Sequence, residues 1–131
     1  MIAAYFGAAL AMAGLDLIWL SQLGDRLYRA NLNAVMAAKL ASYPAAVLFY
    51  LIYVAGIVYF AVRPALGTQD WRAAVIGGIL FGFFCYMTYD LTNLATLKLW
   101  SVKVAIIDIL WGCAVTGAAA LAGYMAVSLL Q

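Results

Sequence analysis

Four apolar runs, at about 2–23, 44–62, 73–97 and 104–130, are separated only by short polar stretches, and they leave this chain few ways to fold. The hydrocarbon core of a bilayer is about 30 Å thick and takes about 20 residues of helix to cross. Backbone groups in hydrocarbon find no water, so runs of this kind close their hydrogen bonds as helices. The expected fold is an all-α integral membrane protein. It is a four-transmembrane-helix bundle forming a single domain over residues 1–131. Composition agrees, with 69% hydrophobic and 9% charged residues, against about half and a quarter in soluble domains.

The longest polar stretch follows the first run. Leu27, Tyr28, Leu32, Val35, Met36 and Leu40 recur there at helical spacing, with Arg26, Arg29, Asn31, Asn33 and Lys39 between them. This pattern predicts a short amphipathic helix in the membrane interface, over about 25–42. In the second run Pro44 suits a first helical turn and Pro64 a stop. Gly78 and Gly82 in the third form a close-packing pair, and Ala3, Gly7 and Ala11 form a similar ridge in the first. Five of the seven basic residues (Arg26, Arg29, Lys39, Lys98 and Lys103) fall on one side of the bundle, and Arg63 and Arg72 on the other. The positive-inside rule then puts both termini outside the cytoplasm.

What is absent narrows the chemistry. There is no histidine, and Cys85 and Cys113 lie within apolar runs. No metal, cofactor or disulfide is expected. A net charge of +2 gives no reason to expect a nucleic-acid partner. The expected surroundings are the lipid bilayer, with a homodimer or a larger membrane complex as possible assemblies. Neither a metal cluster nor a nucleophile–base pair is evident, which speaks against an enzyme.

Polar residues inside the runs mark a site. A charged side chain at the middle of a bilayer costs about 2.5–3.5 kcal/mol on insertion scales. Asp16 lies about seven residues before the end of its run, Asp90 about seven before Leu97, and Asp108 about five after Lys103. At about 1.5 Å per residue these depths agree within a few ångströms. Tyr50 and Tyr53 reach the same layer from the second run. On the third, Tyr86, Asp90 and Asn93 share one face beside Tyr89, while Thr88, Thr92 and Thr96 lie opposite and can bond back onto their own helix. Asp16 is followed by Trp19 and Asp108 by Trp111, so D-x-x-W occurs twice and places an indole one turn from each acid. Three carboxylates with no base at their depth cannot all stay ionised.

The run from Tyr86 through Tyr89-Asp90-Leu91-Thr92-Asn93-Leu94-Ala95-Thr96 to Trp100, with Asp16-x-x-Trp19 and Asp108-x-x-Trp111-Gly112, resembles a family of small bacterial predicted membrane proteins. That family is domain of unknown function number 2177. The resemblance covers nearly the whole chain. It implies four transmembrane helices in a bacterial inner membrane and carries no activity. Tyr89-Asp90 is also similar to half of an intramembrane aspartyl protease site. The Gly-x-Gly that should precede the second acid is missing before Asp108, where Ala105-Ile106-Ile107 stands instead.

Two functions fit these residues. In the first, Asp16, Asp90, Asp108, Asn93, Tyr50, Tyr53, Tyr86, Tyr89, Trp19 and Trp111 bind or translocate a small cationic or amphipathic ligand, or protons. In the second, the chain is an accessory subunit docked on a larger membrane complex, and the acids only order the bundle.

Overall fold

The computed structural model describes residues 1–37, 39–40 and 42–130. All regular structure among them is helical. Four helices are long and apolar enough to cross a membrane: α1 (Ile2–Leu32), α2 (Tyr43–Thr68), α3 (Trp71–Thr96) and α4 (Val102–Ser128). Their starts follow the side chains available. Ser42, Asp70 and Ser101 accept from the backbone N–H groups of Ala45, Arg72 and Val104 at 3.3, 2.9 and 3.3 Å, which satisfies donors that the first turn leaves open. Gln69, at φ 53°, ends α2 in the left-handed conformation just before the α3 cap.

Two helices run further than the sequence suggests, each through a π turn. In α1 the turn Leu20–Gly24 leads into a last segment, Asp25–Leu32. The amphipathic stretch is therefore the end of the first helix and not a separate interfacial helix over 25–42. It stops at Leu32, and residues 38 and 41 of the expected helix lie outside the described residues. In α2, Pro64 does not stop the helix. Its ring would collide with the carbonyl four residues back in regular α geometry. The π turn Val58–Val62, closed by Arg63 N–H onto the Val58 carbonyl, precedes it, and the helix continues to Thr68.

α4 is the centre of the bundle. Gly112, Val115, Thr116, Ala119, Ala120 and Gly123 are buried along it. α3 packs against it through the glycine pair: a Cβ on Gly82 would sit 2.3 Å from the Gly112 carbonyl oxygen, and one on Gly78 2.7 Å from Ala120 Cβ. α1 packs on α4 as closely, since a Cβ on Gly7 would lie 2.7 Å from that of Ala126. The buried stripe of α1 is Ala4, Ala8, Met12 and Asp16, beside the Ala3–Gly7–Ala11 ridge. α2 closes the bundle, with Phe81 of α3 against Gly56 and Val62 against Gly123. Small residues let backbones approach where lipid gives no hydrophobic drive to associate, so dispersion contacts hold the helices.

Candidate ligand-binding site

The ten residues singled out in the sequence come together in a single cluster around α4, but their partners differ from the pattern expected. Asp16 is 7% exposed, and both its oxygens have donors. Tyr50 Oη gives to one at 2.7 Å and Trp111 Nε1 to the other at 3.0 Å. The indole serving Asp16 is thus on α4 and not one turn away on α1. The second D-x-x-W behaves reciprocally. Trp19 Nε1 gives to Tyr28 Oη at 3.3 Å, and Tyr28 Oη gives to Asp108 Oδ1. Between these two exchanges the indoles of Trp19 and Trp111 stack, with centroids 4.5 Å apart and planes 8° from parallel. The repeated motif interlocks two helices.

Tyr28 is the largest omission from the sequence reading, and the π turn explains why. At about 100° per residue, the twelve residues from Asp16 to Tyr28 would leave them about 120° apart on a regular helix. A π turn absorbs one extra residue and removes about 100° of that. Tyr28 then lies close to the Asp16 face and points into the bundle, where Asp108 receives it. Nothing in the sequence announces the extra residue.

Asp90 stands apart. It is fully buried, and neither of its side-chain oxygens has a hydrogen-bond partner. Its polar neighbours are Asp108 and the indole of Trp100, whose Nε1 is also buried and unpartnered. Among the described residues no base forms an ion pair with either acid. Among the described residues the sole ion pair is Arg29 with Asp25, four residues apart at 2.8 Å on the exposed end of α1. Lys98 and Lys103 make no such contact.

A cavity of about 490 Å³ opens onto Asp108 of this pair, where the end of α1, the end of α3 and the start of α4 converge. Tyr28, Tyr89, Asn93 and Asp108 bring polar groups to its lining, and Leu32, Met36 and the ring of Trp100 form part of its apolar wall. Tyr89 meets Trp100 edge-on there, at 5.6 Å and 80°. A second, nearly apolar cleft of about 320 Å³ lies between α2 and α3. Phe49, Tyr53, Cys85, Tyr86 and Tyr89 line it, with Asp108 of α4. Asp108 and Tyr89 therefore border both spaces. Volumes of this size fall within the usual range for small-molecule sites, about 300–1,000 Å³.

The remaining residues are set by packing. Tyr53 Oη shares a 2.9 Å hydrogen bond with Thr116 Oγ1 and not with an acid. Tyr86 lays its ring against Gly112, where a Cβ would come within 2.2 Å of Cγ. Thr88, Thr92 and Thr96 are exposed, and each donates to the carbonyl four residues earlier, at 2.6, 2.5 and 2.7 Å. Their hydroxyls are spent on their own helix. Two acids and a ring of aromatic donors can hold a positively charged group. Among the described residues no three metal-ligating side chains come together.

No curated protein and no solved structure gives a significant match to this chain. A family model does, that of the predicted membrane proteins DUF2177, over residues 1–125. With four spans, two interlocked D-x-x-W motifs and this match over almost its whole length, the chain belongs to that multi-pass membrane protein family.

Proposed function

We propose that this protein binds a small organic cation inside the membrane, at Asp108 with the buried Asp90 behind it, as a binding or transport module. The observation that carries the reading is Asp90. An ionised carboxylate in a low-dielectric interior must be paired or give up its charge. Asp16 has two donors and Asp108 has Tyr28, while Asp90 has none. Asp108 beside it faces a cavity, and intramembrane acids so placed mark ligand or proton sites. The aromatic rings of Tyr28, Tyr89 and Trp100 beside the acids suit a cation further, because a ring face attracts positive charge. Asp16, with both oxygens satisfied, is assigned to holding α1 on α2 and α4.

The test is tetramethylammonium binding to the protein in phosphatidylcholine nanodiscs, read by tryptophan fluorescence. Wild type should bind saturably, and Asp90→Asn and Asp108→Asn should not, with helix content unchanged by circular dichroism. Saturable binding that survives Asp90→Asn would refute the assignment. Co-purification of a larger protein complex, with no cation bound, would favour the accessory-subunit reading. The basic residues favour a bacterial inner-membrane orientation with the 97–101 turn in the cytoplasm. Cysteines placed at Ser101 and Thr68 should then differ in labelling by an impermeant maleimide from outside the cell. Ser101→Cys stays protected and Thr68→Cys reacts.

A further inference from the structure

We propose that the ligand is a single-chain alkylammonium amphiphile, with its head group at Asp108 and its chain in the cleft between α2 and α3. This rests on the cation-binding reading above and adds the nature of the ligand and its route of entry. Asp108 is the hinge of the argument, since it borders both the aromatic, polar cavity and the apolar cleft. Away from Asp108 the cleft is lined almost wholly by ring and chain carbons of Phe49, Tyr53, Cys85, Tyr86 and Tyr89. The Tyr53 hydroxyl is already paired with Thr116, and a thiol such as Cys85 is a weak partner. A compact hydrophilic cation would leave this space empty, whereas a hydrocarbon chain fills it with the dispersion contacts that an apolar wall offers.

Entry is lateral. Phe49 and Tyr89 at the cleft rim are 44% and 56% exposed, on helices that face lipid. An amphiphile already in the bilayer reaches the cleft without its chain leaving hydrocarbon. Its head group meets Asp108, and the buried, donorless Asp90 lies behind that acid and out of contact with the ligand. An uncharged amphiphile offers the carboxylate at most a hydrogen bond and no charge pairing, so it is held more weakly.

Cys85 lines the cleft and is a free thiol, so it reports occupancy directly. The full chain carrying Cys113→Ala is placed in phosphatidylcholine nanodiscs and the rate of Cys85 alkylation by N-ethylmaleimide is measured. At nine-tenths occupancy, dodecyltrimethylammonium should slow alkylation about tenfold, because only the empty fraction reacts. Tetramethylammonium should bind without protecting Cys85, and dodecanol should not protect it. Binding of both cations with Cys85 left reactive would overturn the chain placement and leave the cation site standing. Equal protection by dodecanol would also overturn it, since charge would then play no part. Failure of both cations to bind would remove the cation site itself, and binding of tetramethylammonium alone would overturn the chain placement. Phe49→Trp gives a second reading that needs no thiol chemistry. A chain-brominated dodecyltrimethylammonium should quench this tryptophan beyond the quenching by brominated dodecanol, and equal quenching by the two would refute the proposal.

Discussion

The same substitution at two of the buried acids should move stability in opposite directions. Asp16→Asn keeps the shape and loses the charge. Of its two donors, Trp111 Nε1 at 3.0 Å and Tyr50 Oη at 2.7 Å, the carbonyl oxygen of asparagine can serve only one. The other meets an amide N–H, and the indole can never accept. A buried donor left without its partner costs about 1–3 kcal/mol. Asp90→Asn starts from the opposite condition. No donor is orphaned, because neither oxygen has one. The new amide N–H group can give to Asp108 beside it, and an uncompensated acid disappears. Relieving an unsatisfied buried polar group is worth about 1–3 kcal/mol in the other direction. The two variants should therefore differ by about 2–6 kcal/mol on the same scale. Equilibrium unfolding in mixed micelles by sodium dodecyl sulfate, followed by far-ultraviolet circular dichroism, measures both. Wild type should lie between them. A loss of stability in Asp90→Asn comparable to that in Asp16→Asn would refute the reasoning, because it would mean that Asp90 has native partners.

Four further outcomes are expected from the same titration. Gly82→Ala should destabilise by about 1–3 kcal/mol as an overpacked contact, since its Cβ would meet the Gly112 carbonyl oxygen at 2.3 Å. Gly14→Ala has open space around it and should stabilise by about 0.5–1 kcal/mol. Tyr28→Phe removes both the donor to Asp108 and the acceptor for Trp19. It should cost about 1–3 kcal/mol and change tryptophan emission, and an unaltered spectrum would contradict the Trp19 contact. Replacing Thr88, Thr92 and Thr96 singly by alanine should leave stability within about 0.5 kcal/mol of wild type, because their hydroxyls serve only their own helix.

The helices were legible because bilayer thickness and backbone hydrogen bonding allow one solution for runs this long and apolar. The common depth of Asp16, Asp90 and Asp108 was legible for a similar reason, as rise per residue is fixed. Pairing was not. Periodicity places the indoles of Trp19 and Trp111 near their own acids, but which helix receives each N–H depends on how α1 and α4 rotate against one another. Small residues such as Gly7, Gly123 and Ala122 decide that rotation, and their meaning is visible only once the partners are known. The π turns are the other limit. One hides Tyr28 from a reading based on regular helical angles, and the other carries α2 past Pro64. Asp90 shows a third. Burial of an acid can be read from its run, but the absence of a donor can be read only from its neighbours.

The span between Asp16 and Trp111 also has a consequence for how the protein is made. These partners are 95 residues apart in the chain. At a synthesis rate of about 5–20 residues per second, α1 waits roughly 5–20 s in the membrane before the indole that completes its acid has been made. Tyr50, 34 residues after Asp16, arrives well before that, so an α1–α2 hairpin is the first unit able to shelter the carboxylate. α4, which supplies the centre of the bundle, is translated after the other three helices. The assembly pathway is thus ordered from the periphery inward, with the final helix closing around partners that are already waiting for it.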